Sequence, residues 1–464
     1  MARSESASQR RHSDALAEFV SGLRFEQLPE SVVARLKWSI LDTLGCGIYG
    51  SVTPWGRIVS DYARRVGGRC ALWGAGGTSD AANAALANGT MVHSFELDDL
   101  HPGGRNHPGG VTVPVALAMA AEEGGVNGRD FLTALAAGYE VTCRVGLCQG
   151  KSAFFRGWHP TGTSGAFGAG ATAARLLGLS FEATRNCMGV AGTMPAGLMA
   201  AQYGAMAKRL FVGHAAMAGV IAARLAAEGF TGIPDIFDAE FGGYPRAVSD
   251  EAELEALSSD LGSRYEILEV GYKFHSCVGS NHTALDALRE ILRARPTSPT
   301  EVSSVVVRTS EYQKLHSGWA YTPSTVMAAQ MSMQYCIAAL IAEGEVFIDQ
   351  FTEDKIARPD LLALAAKIRV EAAPEFELPA PYRTAEVELI RSDGSRSRAR
   401  VDFARGSARN LPSWEDLEDK FRRLAGRVLP ATQLDEIVGA VRELEATEDV
   451  SALARLLVPR NNAL

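Results

Sequence analysis

VGHAAMAGVIAARLAAEGF, residues 212–230, decides the fold class. Ala215, Gly219, Ala222 and Ala226 recur three or four positions apart, which in a helix makes one face of small side chains that a neighbouring helix can approach closely. The same period extends outward toward the N-terminus. In GWHPTGTSGAFGAGATAARLLGLS (157–180) a loop to Thr163 is expected to feed a helix built from Gly165, Gly168, Ala169, Ala173 and Ala174, and Ser180 starts another through Gly189. Stretches 111–123, with Pro114 in the first turn, and 130–147 also read as helices. Val33, Leu36, Ile40, Leu41 and Leu44 form a core-facing stripe stopped by Gly45 and Gly47.

Near Arg264 the pattern changes. YEILEVGYKF (265–274) alternates, SSVVVRTS (303–310) is β-branched, and AEVELIRSDGSRSRARVDFA (385–404) is a hairpin whose turn is Ser392, Asp393 and Gly394. Helical stretches at 281–292 and 325–341 lie between them. From Ser413 the capping-box-like SWED returns the chain to helix. The expected fold is therefore mainly α with a second α+β domain: a large all-α helical domain over 1–265, completed by 409–464, and a smaller α+β lid domain over 266–408.

Chemistry concentrates in HSFELDDLHPGGRNHPGG (93–110), which holds three histidines and three carboxylates. Ser79 can cap the preceding helical run, so Glu96, Asp98 and Asp99 fall at or just past its C-terminus. That end disfavours acids by a few tenths to about 1 kcal/mol, which implies a compensating cation, a ligand or a shared proton. Pro102, Gly103, Gly104, Pro108 and Gly110 keep His101 and His107 on a loop. A second histidine loop, HPTG at His159, repeats the local design of HPGG at His107, and Lys208 stands among apolar neighbours.

Of the 464 residues, 47% are hydrophobic and 22% charged, an ordinary globular balance, and no apolar run of the length of a membrane span is expected. The formal charge of -8, with no basic stripe, argues against a nucleic-acid or membrane partner, so an anionic substrate has to be captured locally. Seven cysteines without a CxxC pair suit a reducing compartment, and a cytoplasmic location is expected. MARSESASQRRHSD lacks the apolar core of a secretory signal and reads as a short frayed tail.

Familiar motifs fail on physical grounds. Gly165, Gly168 and Gly170 lie within a helical pattern and not after a strand, so they form no dinucleotide loop. GTSG at 162–165 lacks the spacing of a nucleophile elbow. A divalent metal on Asp98, Asp99, His101 and His107 is chemically suitable. A lone histidine before proline is ordinarily a loop residue bonded to a carbonyl, and a lone lysine ordinarily reaches for water. Yet seven of the nine histidines fall between His93 and His282, which favours a shared site.

The segments DTLGCGIYGS, HSFELDDLH, HPGGVTVPVALA, GWHPTGTSGAFGAGATAARLLGLS, GTMPAGLMA, MAKRLFVGHAAMAG, FGGY and YKFHSCVGSNHTALDA resemble the MmgE/PrpD family in order and spacing, across about residues 15–425. The resemblance implies a metal- and cofactor-independent enzyme of small polycarboxylates, with a large helical domain, a smaller α+β lid and a homodimeric state. The family comprises 2-methylcitrate dehydratases, cis-aconitate decarboxylases and iminodisuccinate epimerases. By motif, Glu96 stands where the decarboxylase branch has an aspartate, and His107, His159 and Lys208 match its two His-Pro histidines and its lysine. Leu100 replaces a threonine and Val278 a further histidine of that branch. DDLH and HPGG also depart from the NDTW and HPSDN of the dehydratases.

The implied reaction is a lyase step, a hydro-lyase or a related decarboxylase acting by α-proton abstraction or elimination, with a dicarboxylate epimerase as the alternative. Either creates an enolate-like dianion, which needs cations and donors placed where its charge develops, and a base near working pH. The expected catalytic groups are His107, His159, Lys208 and Glu96; Asp98, Asp99, His101 and His275 are expected to bind substrate. His159 or Lys208 is the acid/base, His107 binds a carboxylate, and Glu96, Asp98 and Asp99 orient and charge the imidazoles.

Overall fold

Glycine and alanine set how closely the helices of the large domain approach. In the computed structural model, which describes residues 11–379 and 382–460, the Ala207–Ala227 helix packs against the Ala81–Val92, Pro160–Leu176 and Phe181–Ala191 helices. A Cβ on Gly213 would sit 2.1 Å from the Leu86 carbonyl oxygen, and one on Gly219 would sit 2.3 Å from the Ala169 Cβ. Neither position tolerates a side chain, so the stripe seen in the sequence is a contact surface. The Gly128–Phe155 helix, broken at Gly150, joins this bundle, and a Cβ on Gly168 would fall 1.7 Å from its Thr142 hydroxyl.

The Ala207–Ala227 helix corrects one expectation, because its mean hydropathy of 1.6 over 18 residues makes it long and apolar enough to cross a membrane. Here it is a central helix of the bundle, with Val212, Ala215, Ala216, Ala222 and Ala223 buried.

Several boundaries also differ from expectation. Asp80, not Ser79, caps the Ala81–Val92 helix by accepting the Asn83 N–H at 2.7 Å, while Ser79 donates to the Ala63 carbonyl. The Pro108–Glu123 helix begins three residues earlier than expected, and the Pro160–Leu176 helix begins inside the expected loop to Thr163. Proline at the first helical position has no N–H to leave unpaired, so His107–Pro108 and His159–Pro160 each mark a helix start with histidine as the cap residue, whereas His101–Pro102 opens a turn. Residues 1–10 of the expected tail lie outside the described residues; His12–Gly22 is helical, with the Ser13 hydroxyl donating to Asp238.

The expected strand over 265–274 does not form. Glu266–Glu269 is a 3-10 turn, and the chain then makes a single bridge, Gly271 to Leu100. The segment runs between packed elements with Tyr265, Ile267, Val270 and Tyr272 buried, and the polar Glu266 and Lys273 are buried beside them through ion pairs. The sheet that does form has the order Ile368–Ala372, Val302–Thr309, Ala385–Arg391, Arg396–Val401. Its first pair is parallel and the others antiparallel. The His282–Ala294 helix packs on its last two strands. The Trp414–Ala425 helix returns to the Glu30–Gly50 helix, where Phe421 covers Gly45 and Lys420 donates to Asp42 at 2.6 Å and to the Leu97 carbonyl at 2.6 Å.

Candidate active site

Glu96, His107, His159 and Lys208, far apart in sequence, line one cavity together with Arg105, Lys273, Tyr312, His316 and Arg383. About 500 Å³ of non-atom space lies within the cavity and its open mouth together. His107 and His159 occupy the cap positions of two helices, so the positive ends of both helix dipoles abut it. Four cationic side chains face it against one carboxylate, Glu96.

Glu96 has a left-handed backbone (φ 56°), an uncommon conformation for a residue with a side chain. Lys208 donates to its carboxylate at 2.5 Å, Arg209 donates to the same oxygen, and Lys273 lies 3.8 Å from the other. Burial alone would raise the Glu96 pKa, but Lys208, Arg209 and Lys273 outweigh it and hold the acid well below the usual carboxylate range. Burial lowers the Lys208 pKa to about 8 despite the partial compensation from Glu96. This ammonium is the one in the site whose proton is easily given up near neutral pH.

The imidazoles are neutral, and their hydrogen bonds fix their tautomers. His107 Nδ1 lies 2.6 Å from the Asp99 carbonyl oxygen, which only accepts, so Nδ1 carries the proton and Nε2 is left as an acceptor. His159 Nδ1 accepts the Gly162 N–H at 3.3 Å, so its proton is on Nε2. One ring therefore offers a base and the other a donor, with centroids 6.5 Å apart. Burial lowers the His107 pKa to about 3, against the opposing pull of Asp98; burial, then His93 and Lys208, hold His159 well below the usual imidazole range.

The remaining expected residues take other roles. Asp98 lies beneath the cavity, 2.7 Å from His93 Nδ1, 3.3 Å from His107 Nδ1 and 3.1 Å from Lys273. Asp99 accepts from the Gly109 N–H and from the Tyr139 hydroxyl at 3.0 Å, so it holds the helix start and does not face the cavity. His101 pairs with Glu266 at 3.1 Å and accepts the Gly104 N–H, which folds its own loop. His275 pairs with Asp286 at 3.0 Å beside His282. Asp98, Asp99, His101 and His275 are thus not among the lining residues, and Glu96 pairs with lysines instead of imidazoles.

The four-ligand metal set does not converge, because Asp99 and His101 are committed elsewhere. His93, Asp98 and His107 do place ligand atoms within 4.8 Å of one another. The Lys273 ammonium on the same Asp98 carboxylate fits that cluster poorly to a divalent ion.

Lys273, Arg105, Tyr312, His316 and Arg383 were not picked out by sequence reasoning. Lys273, between Tyr272 and Phe274, carried a signal akin to the one that marked Lys208, a lysine among non-polar neighbours, and Arg105 lies inside the 93–110 segment; Tyr312, His316 and Arg383 carried none.

Comparison with known proteins gives the family. Residues 14–256 match the MmgE/PrpD N-terminal domain and residues 275–445 the MmgE/PrpD C-terminal domain. The cis-aconitate decarboxylase-like protein oryM of Aspergillus oryzae is 31% identical, the match covering 95% of this chain and 96% of that protein. The cis-aconitate decarboxylase of Aspergillus terreus is 28% identical over 95% of each chain. The human cis-aconitate decarboxylase is 30% identical over 96% of this chain and 94% of its own. With both domains matched and relatives aligned end to end, the chain belongs to the MmgE/PrpD family.

Proposed function

We propose that this protein is a carbon–carbon lyase that decarboxylates a small unsaturated tricarboxylate of the cis-aconitate type without a metal or cofactor. The observation that carries the reading is the cavity's excess of cations around neutral imidazoles and one lysine with its pKa near 8. The decarboxylases among its relatives move the reading from hydration chemistry to loss of CO₂.

In this reading the bond between the substrate carbon and one carboxylate breaks, and CO₂ leaves. The electron pair passes into the conjugated carboxylate as an enolate-like dianion. Lys208 and Lys273 face the developing charge, and the His159 Nε2–H donates to an enolate oxygen. The Lys208 ammonium then delivers a proton to carbon, and the resulting amine is reprotonated from solvent. His107 Nε2 accepts a hydrogen bond from a protonated substrate group, while Glu96 keeps Lys208 in place.

A panel of di- and tricarboxylates followed by NMR in D₂O tests this. Decarboxylation gives labelled CO₂ and a new alkene; dehydration gives an alkene with every carbon retained; epimerisation gives deuterium at an α-carbon with neither. Either of the last two outcomes would replace the reading. A homodimer in the cytoplasm belongs to the same proposal, and a sedimentation mass near the monomer's 49.5 kDa would count against the dimer.

A further inference from the structure

We propose that Arg105 and Arg383 form a carboxylate subsite in this cavity, and that this pair makes the protein prefer tricarboxylates to dicarboxylates. The proposal rests on the polycarboxylate reading of the site. Lys208 and Lys273 are both paired with protein carboxylates, but among the described residues neither Arg105 nor Arg383 has an acid within ion-pair distance. Arg105 comes from the 93–110 segment with a left-handed backbone (φ 55°) and lies 5.9 Å over the Tyr312 ring, its Nη1 donating to the Gly103 carbonyl at 3.2 Å. Arg383 comes from the start of the Ala385–Arg391 strand, and its Nη1 would lie 2.9 Å from a Cβ on Gly279 in the cavity wall.

Two half-buried guanidinium groups without a counter-charge are costly, and an anion in the cavity removes that cost. Their planar donor forks suit a carboxylate. Arg383 and Tyr312 line the cavity with Arg105, whose guanidinium lies over the Tyr312 ring, whereas Lys208 and Lys273 both approach the Glu96 carboxylate. Arg105 thus lies by Tyr312 while both lysines gather on Glu96, so a carboxylate held by the arginines is a different one from that facing the lysines.

The test uses tricarballylate, a saturated tricarboxylate that cannot lose CO₂ by this route, and glutarate, a dicarboxylate, in calorimetric titrations. Arg105→Asn retains a residue that accepts left-handed backbone, and Arg383→Gln is compared with Arg383→Lys. The expected result is that each neutral variant lowers the ratio of tricarballylate to glutarate affinity tenfold or more, with partial recovery in Arg383→Lys. Ratios within threefold of wild type, or equal losses for both acids, would overturn the proposal. If the pair binds tricarballylate but no tricarboxylate is turned over, the lyase reading falls and the subsite stands; turnover with unchanged ratios does the reverse.

Discussion

Lys208→Met removes the charge at the centre of the site while keeping the apolar stem. At about 4 Å and an effective dielectric constant near 20, an ammonium stabilises a unit negative charge by roughly 4 kcal/mol. Glu96 already draws on part of that field from 2.5 Å, which leaves about 2 to 3 kcal/mol for charge developing on substrate. A value of about 2.7 kcal/mol corresponds to a loss of about 100-fold in kcat/KM. Stability should move the other way. Bringing the Lys208 pKa from 10.5 to about 8 means that the folded site disfavours its charge by about 3 kcal/mol relative to water. After the substitution, Arg209 still donates to Glu96 and Lys273 still stands 3.8 Å away, so the carboxylate is not orphaned. Steady-state kinetics and thermal unfolding should thus show a 100-fold loss of kcat/KM with Tm unchanged or higher. Near-normal turnover with a lowered Tm would show that the lysine only bridges protein groups, and it would leave the site.

Glu96→Gln should do the opposite, because it leaves Lys208, Arg209 and Lys273 around a neutral amide; a destabilisation of about 3 to 5 kcal/mol is expected by chemical denaturation, and a change below 1 kcal/mol would contradict the charge balance drawn here. The free enzyme's kcat/KM should fall above about pH 8 as Lys208 loses its proton, and this limb should be missing from the residual activity of Lys208→Met; its persistence there would assign it to another group. Stability should fall as pH drops below 6.5, because His107, His282 and His316, with folded pKa about 3, refuse protons that the unfolded chain accepts, and His93, His159 and His214 are also lowered. Buried Asp42, Asp99 and Glu140, shifted upward, oppose this but are fewer, so denaturation midpoints that rise between pH 6.5 and 5 would show that they dominate. Exhaustive chelation should leave turnover intact; its loss with recovery on adding a divalent ion would make His93, Asp98 and His107 a metal site.

The helical domain was legible because Gly and Ala at helical spacing have one physical use, close helix contact, and Gly213 and Gly219 serve it. The hairpin was legible from its Ser-Asp-Gly turn and the alternation before it, which became Ala385–Arg391 and Arg396–Val401. The 265–274 alternation misled, since its polar positions Glu266 and Lys273 are buried in ion pairs and do not mark a solvent face. The Ile368–Ala372 strand was missed because its run is short and half charged. Within the site, His107, His159, Lys208 and Glu96 stood out by residue type and by the His-Pro design, whose meaning as a helix start appeared only with the backbone. His101 carries the same His-Pro-Gly design and His275 lies in a matching segment, but they were claimed by Glu266 and Asp286, partners that no local pattern reveals. Arg383 reaches the cavity only through the packing of the α+β domain.

The most direct measurement gives wild-type protein uniformly ¹³C-labelled cis-aconitate in D₂O and follows both nuclei by NMR. The expected result is one labelled CO₂ released for each product molecule, with one solvent deuteron newly bonded to carbon, at a rate that Lys208→Met lowers about 100-fold. A product that retains every carbon, or substrate that exchanges deuterium without releasing CO₂, would contradict decarboxylation at this site.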